Sequence, residues 1–153
     1  MSKVAIVSGS KSDEKLVSAA AEYLDRFGIE YDAEIISAHR TPDRCREFSR
    51  GAADKGYELI IAIAGLAAHL PGVIASMTDL PVIGVPAGGA MGGLDALLSM
   101  VQMPASTPVA TMAIGKHGAK NAAIFAARIL ARSDEKVAAN LAEYRRVLSA
   151  GGK

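Results

Sequence analysis

Tryptophan is absent from this chain, cysteine occurs once, and aromatic residues make up only 5%. The lone cysteine, Cys45, excludes an intrachain disulfide and any cysteine-based metal cluster, and reads as a small side chain on a helix. So few aromatics argue against a site that stacks rings on a flavin. An excess of one charge is missing too, since 17 Lys and Arg stand against 16 Asp and Glu. That balance gives neither a basic footprint for nucleic acid nor a polybasic patch for a membrane. Charge of either sign is nearly missing from one half. Between Glu58 and Lys116 the only charged residues are Asp79 and Asp95. A membrane span does not account for this, because Pro71, Pro81, Pro86 and repeated glycines break each apolar run before the ~20 residues a spanning helix needs. A lone domain would wet much of that stretch, so coverage by neighbouring subunits is expected, in an obligate homo-oligomer. A signal peptide is also lacking, since "MSKVAIVSG" runs straight into a strand; a soluble, cytoplasmic protein is the expectation.

What is present is a strict alternation. The length of 153 residues suits one catalytic domain over 1–153, able to bury about 70% of its unfolded surface. "KVAIVSG", "YDAEIIS", "ELIIAIAG", "PVIGVPA" and "PVATMAIG" read as five strands, rich in Val and Ile where both faces are buried. Between them lie helices. The first, "SDEKLVSAAAEYLDRFG", stops at Gly28; the second, "TPDRCREFSRGAADKG", has Thr41 as cap and Pro42 at its first position. Short helices follow in "AAHLPGVIASM" and "LDALLSMV". "GAKNAAIFAARILAR" is amphipathic, and an extra C-terminal helix starts with Ser133 as cap. Alternation of this kind predicts parallel strands with right-handed crossovers and helices on both faces. With five strands that is a flavodoxin-like three-layer α/β/α sandwich in the order 2-1-3-4-5, whose ligands bind beyond the carboxyl ends of the strands near the switch point. The chemistry should therefore follow strands 1, 2 and 3.

After strand 1 comes "GSKSD". Gly9 allows a tight turn, while Ser10, Ser12 and free N–H groups at the next helix form a cradle for an anion; alternatively Ser12 or Asp13 simply caps the helix. The stretch is neither a P-loop nor G-x-G-x-x-G, so ATP and dinucleotides are not indicated. After strand 2 comes "SAHRTP". Arg40 can grip a phosphate with a forked pair of hydrogen bonds, and His39 can give and take a proton near neutral pH. After strand 3 comes "AGLAAHLPG", where Gly65 and small neighbours allow close backbone approach and His69 brings a second imidazole to the rim. His69 either positions the loop at a helix start or acts directly. His117 lies after strand 5 and reads as incidental. Two histidines without a nearby carboxylate pair make a poor metal site. "GGAMGG" is either a flexible lid or permissive backbone. The residues thus point to a phosphorylated small molecule and a histidine moving protons, with no metal or nucleotide cofactor.

Taken together, "GSKSD", "SAHRTPD", "AGLAAHLPGVIA", "LPVIGVP", "LDALLSMVQMP", "PVATMAIG" and "GAKNAAIFAARIL" resemble the N5-carboxyaminoimidazole ribonucleotide mutases of purine biosynthesis, from about Val4 to Leu130. The resemblance implies conversion of N5-carboxyaminoimidazole ribonucleotide to 4-carboxy-5-aminoimidazole ribonucleotide by a homo-octamer, with neither ATP nor metal. It further implies that Ser10, Asp13 and Arg40 bind substrate, with Ser12 and Ser37 around the phosphate. His39 would be the general acid and base, and Gly65, His69 and Leu70 would shape the pocket. "AHRTP" and "HLPG" are similar to the mutases rather than to the related carboxylases that use free carbon dioxide. One departure is Ser106, where family members usually carry glycine. Outside enzymes, a flavodoxin-like binding or receiver module is the alternative; a receiver should end strand 1 with paired acidic residues, and here it ends in "SGS".

Overall fold

The computed structural model of the protein describes residues 2–152. Its strands are β1 (Lys3–Ser8), β2 (Glu30–Ile35), β3 (Leu59–Ala64), β4 (Val82–Pro86) and β5 (Ala110–Thr111). They form one sheet in the order β2-β1-β3-β4-β5, with every neighbouring pair parallel, as the alternation predicts. The helices are α1 (Glu14–Phe27), α2 (Pro42–Gly51), α3 (Leu70–Ala75), α4 (Leu94–Val101), α5 (Lys116–Leu130) and α6 (Glu135–Ser149).

β3 runs through the middle of the sheet and is buried along its whole length. Its alternate residues feed two different cores, as the period of a strand requires. Leu59, Ile61 and Ile63 pack with Leu24 and Phe27 of α1, the alanines of α5 and Val137 and Tyr144 of α6. Ile60, Ala62 and Ala64 pack on the other face with Cys45 and Phe48 of α2, Ile74 of α3 and Met100 of α4. Five α5 alanines, Ala119, Ala122, Ala123, Ala126 and Ala127, are fully buried. Their small side chains let α5 lie close to both the sheet and α1. α1 stops where expected: Gly28 takes the left-handed conformation at φ 70° and its N–H bonds back to Asp25.

Several boundaries differ from the sequence reading. β2 ends at Ile35, short of Ser37, and α2 ends at Gly51, short of Gly56. Strand 5 was expected over 108–115, yet regular pairing covers only Ala110–Thr111. The chain still follows β4, because Met112 N–H bonds to Gly84 and Gly115 N–H to Pro86, each at 2.8 Å. The ladder ends early because the backbone turns into α5 at Gly115, φ 77°. The last helix is capped by Asp134 rather than Ser133. Its carboxylate accepts from the N–H groups of Lys136 and Val137, and also from Ser2. Ser133 instead donates to the Leu130 carbonyl.

Candidate active site

The loops after β1, β2 and β3 meet at the carboxyl edge of the sheet around a cleft of about 690 Å³. All nine residues singled out from the sequence line it: Ser10, Ser12, Asp13, Ser37, His39, Arg40, Gly65, His69 and Leu70. A larger hollow, about 990 Å³, opens at the opposite end of β4 and β5 beside Arg50, Asp79 and Ser106. It holds no imidazole, and the chemistry-bearing residues belong to the smaller cleft.

In the first loop Gly9 N–H bonds to Ile63, which pulls the turn against the sheet. A single 3-10 turn, Lys11–Asp13, precedes α1. Ser10 Oγ accepts from the Ser12 N–H at 3.3 Å and the Ser12 hydroxyl at 3.1 Å. Ser10 thus caps the 3-10 turn, and α1 itself is capped by neither the Ser12 nor the Asp13 side chain, the alternative the sequence left open. Asp13 sits at the start of α1 without a side-chain capping bond, so its carboxylate is left for the cleft. Burial pushes that carboxyl up from its ordinary value, because losing water disfavours the charged form.

The second loop is closed by Thr41, whose hydroxyl donates to the Ser37 carbonyl at 3.0 Å and accepts from the Ser37 N–H at 3.2 Å. Thr41 was expected to cap α2. It stands at that position but spends its hydroxyl on the loop, while Pro42 begins the helix where no N–H is needed. The tight turn fixes the residues inside it. Ser37 Oγ accepts from the Arg40 N–H and from Arg40 Nε, and the far end of the guanidinium reaches the Gly9 carbonyl at 3.3 Å. Arg40 thus bridges the first and second loops. Among the described residues it forms no ion pair, so its charge faces the cleft uncompensated.

The third loop leaves β3 through Leu66, a non-glycine residue at φ 56°, and tightens where His69 N–H bonds to Ala67 at 2.8 Å. This carries His69 back toward the second loop. His39 Nε2 and His69 Nδ1 lie 2.7 Å apart, and the two rings meet nearly edge-on at 79°. Sequence reasoning put both imidazoles on the rim without foreseeing their contact, and it passed over Leu66, which also lines the cleft, as does Gly88 at the start of "GGAMGG". "GGAMGG" behaves as close-packed backbone at its end: Gly93 has φ 87°, and a Cβ there would fall 2.5 Å from Ile114. His117 lies in the first turn of α5 and does not line the cleft. Among the described residues no three His, Cys, Asp or Glu side chains converge as metal ligands do.

An uncompensated guanidinium, two serine hydroxyls near a helix start and a pair of bonded imidazoles can hold a phosphate and move protons beside it. The profile of the family described as AIR carboxylase matches residues 3–150. The chain is 56% identical over 144 residues to an N5-carboxyaminoimidazole ribonucleotide mutase of Brucella melitensis, covering 94% of this chain and 89% of that one. With the mutase of Escherichia coli K12 the identity is 50% over 145 residues, covering 94% and 86%. Among solved structures, Treponema denticola PurE superposes with a TM-score of 0.89 at 29% identity, covering 99% of this chain and 94% of that one. A profile matched over nearly the whole chain, and relatives half identical along almost all of it, place the chain in the AIR carboxylase family, alongside its N5-carboxyaminoimidazole ribonucleotide mutases.

Proposed function

We propose that the protein, as one catalytic domain, is an isomerase of purine biosynthesis that converts N5-carboxyaminoimidazole ribonucleotide to 4-carboxy-5-aminoimidazole ribonucleotide. The observation that carries the reading is the meeting of Arg40, unpaired, with the His39–His69 pair in one cleft. Ser10, Ser12, Ser37 and Arg40 grip the phosphate, Asp13 the ribose side, and Gly65 and Leu70 close the wall around the base. His39 protonates the carbamate nitrogen, carbon dioxide leaves it, and the pocket holds the gas against C4 of the imidazole. His39, now neutral, takes the C4 proton. Protons balance over the cycle, so these residues complete the reaction without ATP.

The family profile also carries the word carboxylase, which keeps a second reading in view: direct use of dissolved carbon dioxide. One experiment separates the two. N5-carboxyaminoimidazole ribonucleotide labelled in its carbamate is turned over once in unlabelled bicarbonate. A mutase retains the label in the product. Product carrying mostly solvent carbon would overturn the mutase reading and leave the phosphate site standing.

We also infer a homo-octamer in the cytoplasm. Supporting it are Leu66, Met91, Leu94, Leu98 and Val101, large apolar side chains about half or more exposed on the charge-poor half. No helix among the described residues is long and apolar enough to cross a membrane. Sedimentation at micromolar concentration should find a species well above a dimer; a stable monomer would refute it.

A further inference from the structure

The 2.7 Å contact between His39 Nε2 and His69 Nδ1 needs a single hydrogen, and its owner decides which atom of His39 meets the substrate. Suppose His69 donates. Neutral His39 then has its bare nitrogen at Nε2, aimed at His69, and can take a proton there only by breaking the bond. Suppose instead that His39 donates. Its Nε2–H is then present in both the neutral and the cationic ring, while Nδ1 is bare in one and protonated in the other. Only this arrangement survives a cycle that gives a proton and takes one back.

The surroundings favour no other anchor. The remaining charged groups of the cleft are Asp13 and Arg40. Arg40 is held by Ser37 and Gly9 and bonds to neither ring. His39 Nδ1 has no hydrogen-bond partner among the described residues, and His69 is exposed, so its Nε2–H has solvent as acceptor. The edge-on meeting of the rings lets the N–H of one point along the in-plane lone pair of the other.

We propose that His69 is a positioning residue: its neutral ring accepts a hydrogen bond from His39 Nε2–H and so assigns proton transfer to His39 Nδ1. The chemistry rests on the mutase reading, while the tautomer itself does not. In the reaction, His39 Nδ1–H gives its proton to the carbamate nitrogen. The nitrogen–carbon bond breaks with its electron pair left on nitrogen, and carbon dioxide departs. The double-bond pair at C4 then bonds to carbon dioxide. Finally the C4 proton passes to Nδ1, and the C–H pair restores the ring double bond. One proton leaves His39 and one returns, while His69 keeps its own throughout. The role resembles that of the carboxylate behind the histidine of a hydrolase triad, with a neutral ring in place of the anion.

Nitrogen-15 spectra of histidine-labelled protein, without substrate and at mildly alkaline pH where free imidazole is neutral, report the tautomers directly. His39→Asn and His69→Asn assign the signals. The expected result is His39 with hydrogen on Nε2 and a bare Nδ1; hydrogen on Nδ1 of His39 overturns the proposal. The second readout is kinetic. His69→Leu removes the acceptor, and kcat should fall by about tenfold or more with KM changed only a few-fold. His69→Asn, whose Oδ1 replaces Nδ1 as acceptor, should recover most of that loss. An Asn variant as slow as Leu would make His69 a proton carrier and sink the positioning role, as would a Leu variant with unchanged kcat. The expected tautomer in a protein without mutase activity would instead refute the mutase reading alone.

Discussion

Replacing Ser106 by glycine should make the protein more stable. Ser106 is the third residue of a turn closed by the Thr107 N–H on the Pro104 carbonyl, at 3.3 Å. Its φ is 80°, the angle a type II turn demands at that place and the reason glycine is favoured there. A Cβ in this left-handed region crowds the carbonyl, at a cost of about 1–2 kcal/mol. Against this, glycine gives the unfolded chain more freedom, worth about 0.4–1 kcal/mol in the opposite sense. The Ser106 side chain is exposed and makes no hydrogen bond among the described residues, so little else is lost. The difference leaves Ser106→Gly more stable by up to about 1.6 kcal/mol, about 0.8 kcal/mol at the middle of both ranges, or about 2–3 °C in Tm for a chain of this length. Urea and thermal unfolding measure it at one fixed protein concentration, because the stability of a self-associating chain depends on concentration. Ala105→Gly is the control: φ there is not positive, so only the entropy remains and stability should drop. If both glycines destabilise alike, the turn stores no strain and the reasoning fails.

Other expectations concern the cleft and the last helix. His39→Asn should fold and bind substrate within a few-fold of the parent while kcat falls at least ~100-fold; retention of more than about a tenth of the activity would move proton transfer elsewhere. Arg40→Ala should raise KM more than it lowers kcat, because a phosphate remote from the reacting carbon is held alike in ground and transition states. A collapse of kcat alone would put Arg40 at the carboxylate. Asp134 carries a carboxyl held below its ordinary range, chiefly by the Val137 N–H and then by the Ser2 hydroxyl. A lowered value means stability present above the ordinary Asp range and lost as pH falls through the folded value. Asp134→Ala should therefore unfold more easily at neutral pH, with the gap narrowing in acid; a gap of equal size at both would refute the linkage.

The sheet was legible because each strand announces itself locally. "LIIAIA" between Glu58 and Gly65 can hardly be anything but a buried strand, and five such runs separated by helices admit few topologies. The three loops at the carboxyl edge followed from that order, and with them Ser10, Ser12, His39, Arg40, Gly65 and His69, whereas Asp13, Ser37 and Leu70 entered as site residues through the family resemblance. What local patterns could not settle was choice between neighbours. Ser133 and Asp134 are both good caps, and Asp134 wins because it also reaches Ser2, 132 residues away. Thr41 looked like a cap and became a loop clasp because Ser37 lies within reach of its hydroxyl. The His39–His69 bond joins residues 30 apart on different loops, and no spacing rule encodes it. Ser106, by contrast, was visible as a departure from the family's glycine, and its positive φ gives that departure a physical meaning.

β2 lies at one margin of the sheet and presents Glu30, Asp32 and Glu34 at alternate positions. Lys3 holds Asp32 at 2.8 Å and Arg44 holds Glu34 at 3.0 Å. A foreign strand adding to this margin would have to strip water from both ion pairs and from Glu30. Fibril-like growth is thereby discouraged at the one border long enough to template it, since β5 at the other border offers only two paired residues. Any contact between copies of the chain is thereby left to side chains, such as the large apolar ones exposed on the charge-poor half, rather than to backbone pairing.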